Sequence, residues 1–181
     1  MSNQNLYFIS IVPPDPTNGK ISQLKEEVAF RWNVRHALRS PPHITLHMPF
    51  RWRADRMQGL YQSLEQEAAS ISKFPLFLDG FDAFEPRVVF VNVIENESLA
   101  NSQKRITKAM RKHNILNSGY KDRPFHPHIT IAFRDVKKPV FEEIWNDFRQ
   151  RDFKEGFIAE KLSLLKYEDN QWVVDREFSF A

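Results

Sequence analysis

The chain writes the same tetrapeptide twice, as Pro42-His43-Ile44-Thr45 and Pro127-His128-Ile129-Thr130. Each copy continues into a further apolar residue, Leu46 and Ile131. The two histidines stand 85 residues apart in a chain of 181, close to half its length. A repeat at half-length predicts two similar lobes, each supplying one His and one Thr to a shared site. Both copies sit among β-favouring residues, so each reads as a strand. Side chains alternate faces along a strand, so His43 and Thr45 point one way and Ile44 and Leu46 the other. His128 and Thr130 are set against Ile129 and Ile131 in the same manner. Each strand then shows chemistry on one side and packing on the other.

The rest of the chain supports the two-lobed reading. Leu6 to Val12 predicts an opening strand, stopped by Pro13-Pro14-Asp15-Pro16. Ile21, Leu24 and Val28 recur at helical spacing. After the first His strand, Asp55 is placed to cap a helix carrying Leu60, Tyr61, Leu64 and Ala68 on one face. Strands are expected over Phe74 to Phe84 and Arg87 to Ile94, turning at Glu85-Pro86. Leu99, Ile106 and Met110 mark a helix with a basic outer face, ended by Asn117-Ser118-Gly119. The second His strand is expected from about His126 to Phe133, then a helix with Phe141, Ile144, Trp145 and Phe148. Phe157 to Tyr167 and Trp172 to Phe180 read as a closing hairpin. Each half therefore runs strand, helix, His strand, helix, strand. Hairpin-linked strands mixed with helices predict an α+β fold with antiparallel sheet.

Composition narrows the setting. With 41% hydrophobic residues and sixteen Phe, the chain can fill a core. Residues 1–181 read as one domain made of two lobes. No apolar run approaches the length of a membrane span, and no basic region with an apolar core opens the chain. The absence of cysteine removes disulfides and thiolate metal sites. A cytoplasmic protein with no membrane contact is the expectation. No obligate protein partner is evident. A net charge of +3 permits a polyanionic substrate without requiring one.

Paired histidines near neutral pKa suit a general acid and a general base, the roles assigned to His43 and His128. Thr45 and Thr130 can donate hydroxyl hydrogen bonds to phosphate oxygens. The period-two rule also places His47 beside His43 and His126 beside His128. Four histidines could instead ligate a transition metal. Neither motif has a carboxylate close by, and no helical His-x-x-x-His occurs, so neither a metal nor a cofactor is expected. Arg51, Arg53 and Arg56 after the first motif, and Lys121, Arg123 and Arg134 around the second, can neutralise phosphate or form a solvated surface. Phe125, Tyr167 and Trp172 can stack a nucleobase or fill a core. Arg123, Phe125, His126, His47 and Arg134 are the candidates for substrate contact.

At these residues the chain resembles the 2H phosphoesterase superfamily, which includes the 2′-5′ RNA ligase and RNA 2′,3′-cyclic phosphodiesterase proteins and is defined by two His-x-Thr-x motifs. Tyr7-Phe8-Ile9-Ser10-Ile11-Val12-Pro13-Pro14 is similar to that family's opening strand, and Arg123-Pro124-Phe125-His126-Pro127-His128-Ile129-Thr130 to its approach to the second motif. The resemblance implies a bilobal duplicated fold: two antiparallel sheets flanked by helices around a central cleft, with pseudo-twofold symmetry. It implies metal-independent chemistry, with His43 and His128 matching the catalytic histidines and Thr45 and Thr130 the phosphate-binding threonines. The expected substrate is an RNA end or a nucleotide with a 2′,3′-cyclic phosphate, opened to a 2′-phosphate, with weak 2′-5′ ligation in reverse. His47-Met48-Pro49-Phe50 departs from the apolar-Leu-Gly ending of the RNA-ligase branch and resembles less characterised bacterial branches. Two alternatives stand beside this expectation: a non-catalytic nucleotide- or RNA-binding module, and a metal-dependent hydrolase built on the histidines.

Overall fold

The computed structural model describes residues 4–116 and 124–181. Strand β1 (Gln4–Ile11) leads to helix α1 (Thr17–Trp32), which closes on Asn33 at φ 57°, a left-handed conformation that asparagine tolerates. A short 3₁₀ segment (His36–Arg39) precedes β2 (Ile44–Arg53) and α2 (Met57–Ala68). The hairpin β3 (Phe74–Phe84) and β4 (Val88–Val93) follows, then α3 (Glu97–Lys112). The chain closes with β5 (His128–Ala132), α4 (Lys138–Phe148), β6 (Lys154–Ala159), β7 (Lys161–Glu168) and β8 (Gln171–Ser179).

The strands form two four-stranded antiparallel sheets, ordered β2-β1-β7-β8 and β5-β4-β3-β6. Each sheet draws on both halves of the chain. β3 ends the first half yet lies in the second sheet, and β7 belongs to the second half yet pairs with β1. The helices interleave as well. α2 and α3 pack on the first sheet, and α1 and α4 on the second. The two halves are thus tied together by exchanged elements, and the His-bearing strands β2 and β5 approach each other where the sheets meet.

One apolar core runs between the sheets and their helices. Ile44, Leu46, Ile129 and Ile131 all have no exposed surface, as the alternation argument requires. α1 turns Ile21 and Val28 inward, and α3 does the same with Leu99, Ile106 and Met110. The Asn96 side chain caps α3 by accepting from Leu99 N at 3.0 Å, satisfying one of the free amides of the first turn.

Three local expectations are corrected. Asp55 does not cap α2; its carboxylate instead accepts from Arg53 Nε at 2.9 Å, and α2 starts without a side-chain cap. The segment from Phe157 to Tyr167 is not one strand. It breaks at Glu160, with β6 in the second sheet and β7 in the first. An unbroken apolar run carries no mark of a change of sheet, because both sheets offer a buried face. α3 ends at Lys112, before the expected stop at Asn117-Ser118-Gly119, which lies outside the described residues.

Candidate active site

The Pro41-Pro42 pair delivers the chain in extended form to His43 at the mouth of β2, since proline and the residue before it both avoid helical geometry. Pro127 does the same for His128 at the start of β5. The two imidazoles are then held identically. Nδ1 of His43 donates to the carbonyl of Pro41 at 2.7 Å, and Nδ1 of His128 donates to the carbonyl of His126 at 2.7 Å. A carbonyl oxygen can only accept, so Nδ1 carries the proton in both rings. Each neutral imidazole therefore keeps a lone pair on Nε2. The repeat extends from sequence to tautomer.

A buried phenylalanine of the neighbouring strand backs each ring. Phe8 on β1 lies 4.7 Å from His43, and Phe90 on β4 lies 4.8 Å from His128, measured between ring centres. On the first side Trp172 stands edge-on to Phe8 at 4.6 Å, with Tyr167 5.0 Å beyond it. On the second side Phe84 contacts both His128, at 5.1 Å, and His126, at 5.2 Å. Phe84 is 42% exposed, which leaves part of its surface open beside His128. Sequence reasoning missed Phe8, Phe84 and Phe90 as site residues. Among sixteen phenylalanines, nothing in the pattern separates a ring beside histidine from a ring in the core.

Burial lowers the pKa of both histidines by disfavouring the charged form. His43 is pushed down to about 4, first by burial, then by the charge of Lys25 and of His128. His128 is lowered by burial and by neighbouring His126, against the opposing effect of its carbonyl bond. His43 is close enough to His128 for the charge of one to bear on the other, and their strands β2 and β5 approach each other. Thr45 and Thr130 are half-buried. Thr45 lies opposite Ser10 on β1, and Ser10 opposite Ser163 on β7, which makes a row of hydroxyls across three strands. The hydroxyls of Ser10 and Ser163 are buried and have no hydrogen-bond partner among the described residues.

The remaining candidates divide. His126 is exposed, its ring 6.2 Å from that of His128, so it stands at the site. His47 does not share a face with His43. A β-bulge between the Ile9 and Ser10 pairings breaks the alternation and buries Leu46 and His47 consecutively. His47 packs edge-on to Phe50 at 5.4 Å, and burial lowers its pKa. Arg134 lies past the end of β5, its guanidinium 5.6 Å over the Phe133 ring, and the His36 pKa is lowered first by burial and then by the Arg134 charge. Phe125 is half-buried against the core. Arg51, Arg53 and Arg56 follow from the far end of β2, where that strand pairs with the start of β1. Arg123 and Lys121 lie outside the described residues. No group of three or more His, Asp or Glu side chains among the described residues is arranged to hold a metal. No described helix is long and apolar enough to cross a membrane.

Two facing His-x-Thr strands in a duplicated α+β fold define a class, the two-histidine phosphoesterases. The model of the 2′-5′ RNA ligase superfamily matches residues 13–171, and the chain belongs to that family of 2H phosphoesterases. Among its relatives is a Geobacillus kaustophilus protein named "Putative phosphoesterase", 26% identical over 175 residues, covering 95% of this chain and 94% of the relative. A protein of the same name from Halalkalibacterium halodurans is 22% identical and covers 97% of both chains. The fold is similar to that of TT0787 of Thermus thermophilus, with a TM-score of 0.69 at 20% identity over 97% of both chains. It is also similar to that of E. coli LigT, with a TM-score of 0.68 at 16% identity over 99% of both chains.

Proposed function

We propose that the protein is a metal-independent phosphodiesterase that opens a 2′,3′-cyclic phosphate, on a nucleotide or an RNA end, to a 2′-phosphate. The observation that carries this reading is the matched pair of Nδ1-to-carbonyl bonds, which leaves each Nε2 with a lone pair for proton transfer. One neutral imidazole takes a proton from water at Nε2, and the hydroxide attacks phosphorus in line with the bond to the 3′ oxygen. That bond breaks, and the second imidazole, protonated at Nε2, gives its proton to the leaving oxygen. Thr45 and Thr130 hydroxyls donate to the non-bridging oxygens, where charge grows in the transition state. The half-exposed ring of Phe84 offers a face for a base. LigT has been crystallised with 3′-AMP, with ATP and with phosphate, which supports a nucleotide phosphate as the group that enters this cleft. With a 5′-hydroxyl in place of water, the same groups would open the cyclic phosphate at the 3′ oxygen and form a 2′-5′ bond.

The test is a panel of 2′,3′-cyclic mononucleotides, an oligoribonucleotide ending in a cyclic phosphate, and 2′-5′ dinucleotides, all in EDTA. A 2′-phosphate product at undiminished rate is the expected outcome. Exclusive 3′-phosphate product would overturn the assignment. Binding without turnover across the panel would transfer it to a nucleotide-binding module, and rates lost in EDTA but restored by zinc or manganese would transfer it to a metal enzyme.

A further inference from the structure

Lys25 is a buried ammonium without a counter-ion. It sits on the inner face of α1 with 3% of its surface exposed, and among the described residues it pairs with no carboxylate. Nζ instead donates to two backbone carbonyls, Ala37 O at 3.1 Å and Ser40 O at 2.9 Å. These belong to the 3₁₀ segment and the turn after it, immediately before Pro41. Lys25, Ser40 and Pro41 also line one 250 Å³ cavity, with Trp172 among its other walls. Stabilisation alone gives no reason for such a group, since an apolar side chain of similar volume would avoid the cost of burying the charge.

The position connects to the candidate site by two routes. The first is mechanical: Lys25 holds Ala37 and Ser40, the next residue is Pro41, and the Pro41 carbonyl fixes His43 Nδ1 at 2.7 Å. The second is electrostatic, because the charge of Lys25 is felt at His43. Burial lowers the pKa of Lys25 to about 7, so its charge develops as the pH falls into the range where a histidine would take up a proton. Glu26 on α1 shares the cavity with Lys25, His43 feels its charge, and the 3₁₀ segment whose Ala37 carbonyl it binds also carries His36 and Arg39; the start of β8 adds the neutral Gln171 and Trp172. Among the described residues the second half has no matching device. Ile21, Lys25 and Val28 on α1 are matched in spacing by Leu99, Gln103 and Ile106 on α3. Gln103 is uncharged, and its amide donates to Thr107 Oγ1 at 3.0 Å within the helix. The duplicated site is therefore unequal in charge at this position.

We propose that Lys25 is a positioning residue for His43: it anchors the 37–41 turn that presents the Pro41 carbonyl to Nδ1, and this anchor, replaced by Gln103 at the matching position of α3, holds the His43 lone pair on Nε2 as the base of hydrolysis and leaves His128 as the acid. The assignment of roles rests on the phosphodiesterase reading, whereas the coupling of Lys25 to His43 does not.

The experiment uses the full chain and the variants Lys25→Met, Lys25→Gln and Lys25→Arg. Long-range ¹H–¹⁵N spectra report the tautomer and pKa of His43 without any substrate. In the wild type His43 should hold its proton on Nδ1 and titrate below the usual histidine range. Lys25→Met should raise the His43 pKa by about half a unit or more and mix the tautomers. Lys25→Gln, which keeps a donor but no charge, should raise the pKa and retain the tautomer. Lys25→Arg should preserve the low pKa. With a 2′,3′-cyclic nucleotide, Lys25→Met should lower kcat by about tenfold with little change in KM, and the acidic limb of the pH profile should move to higher pH. If Lys25→Met fails to fold, the Gln variant still separates the outcomes. An unchanged His43 pKa in Lys25→Gln overturns the proposal, and so does an unchanged tautomer and pKa in Lys25→Met. A wild type inactive on the whole panel sinks the functional reading alone, since the spectra still report the coupling.

Discussion

Acidification should destabilise the folded protein through His43, by an amount that can be worked out. An unfolded histidine titrates near 6.5, and His43 in the fold is pushed down to about 4. Well above pH 6.5 the ring is neutral in both states and contributes no pH dependence. As the pH falls below 6.5 the unfolded chain takes up a proton that the folded ring refuses, so stability is lost until the folded ring also titrates near pH 4. The full drop corresponds to about 3 kcal/mol, and the part between about pH 7 and pH 4.5 to roughly 2.5 kcal/mol. Urea unfolding of the wild type and His43→Gln at both pH values isolates this contribution. Other groups titrate as well, including His36, His47 and His128, whose pKa values are lowered by burial, but they are present in both proteins. The wild type should lose about 2.5 kcal/mol more than His43→Gln on acidification. Equal losses within about 0.5 kcal/mol would show that His43 is not held neutral by the fold, and the argument from burial would fail.

His43→Ala and His128→Ala should each lower kcat by roughly 10²–10⁴, with the double variant little worse than the poorer single, because two groups that act as a unit are not additive. Thr45→Val and Thr130→Val should each cost about 1–3 kcal/mol in transition-state stabilisation while leaving the melting temperature nearly unchanged; a loss of stability with activity per folded molecule intact would make them structural. Phe84→Ala should weaken binding of a cyclic mononucleotide by about 1–3 kcal/mol, with no loss for the cyclic phosphate of ribose lacking a base; equal losses for both would remove the stacking role. Arg151→Met should cost about 1–2 kcal/mol in urea unfolding, because Arg151 grips both Glu27 oxygens, at 2.6 and 2.8 Å, and joins α1 to the end of α4; no change would rank this contact with ordinary surface pairs.

Much of the candidate site was legible because it is local. A His and a Thr two positions apart on a strand share a face whatever the rest of the chain does, and the apolar residues between them must then pack. The duplication was legible for a similar reason, since an identical motif at half-length with matching elements around it leaves few other arrangements. What the linear pattern could not carry was decided between elements distant in the chain. His47 obeys the period of two in sequence, but a bulge against β1 turns it into the core, and such a bulge depends on the partner strand. β3 and β7 exchange sheets because their apolar faces would be buried equally well in either, so only the competition among all strands places them. Phe8, Phe84 and Phe90 take on meaning only once their strands lie beside β2 and β5. Lys25 reads as one more charge on a helix until the loop before Pro41 closes over it. Sequence alone determined which chemical groups are present and which of them share a strand face; the tertiary structure determined their neighbours, because burial and proximity set a proton's affinity and neither is a property of the chain before it folds.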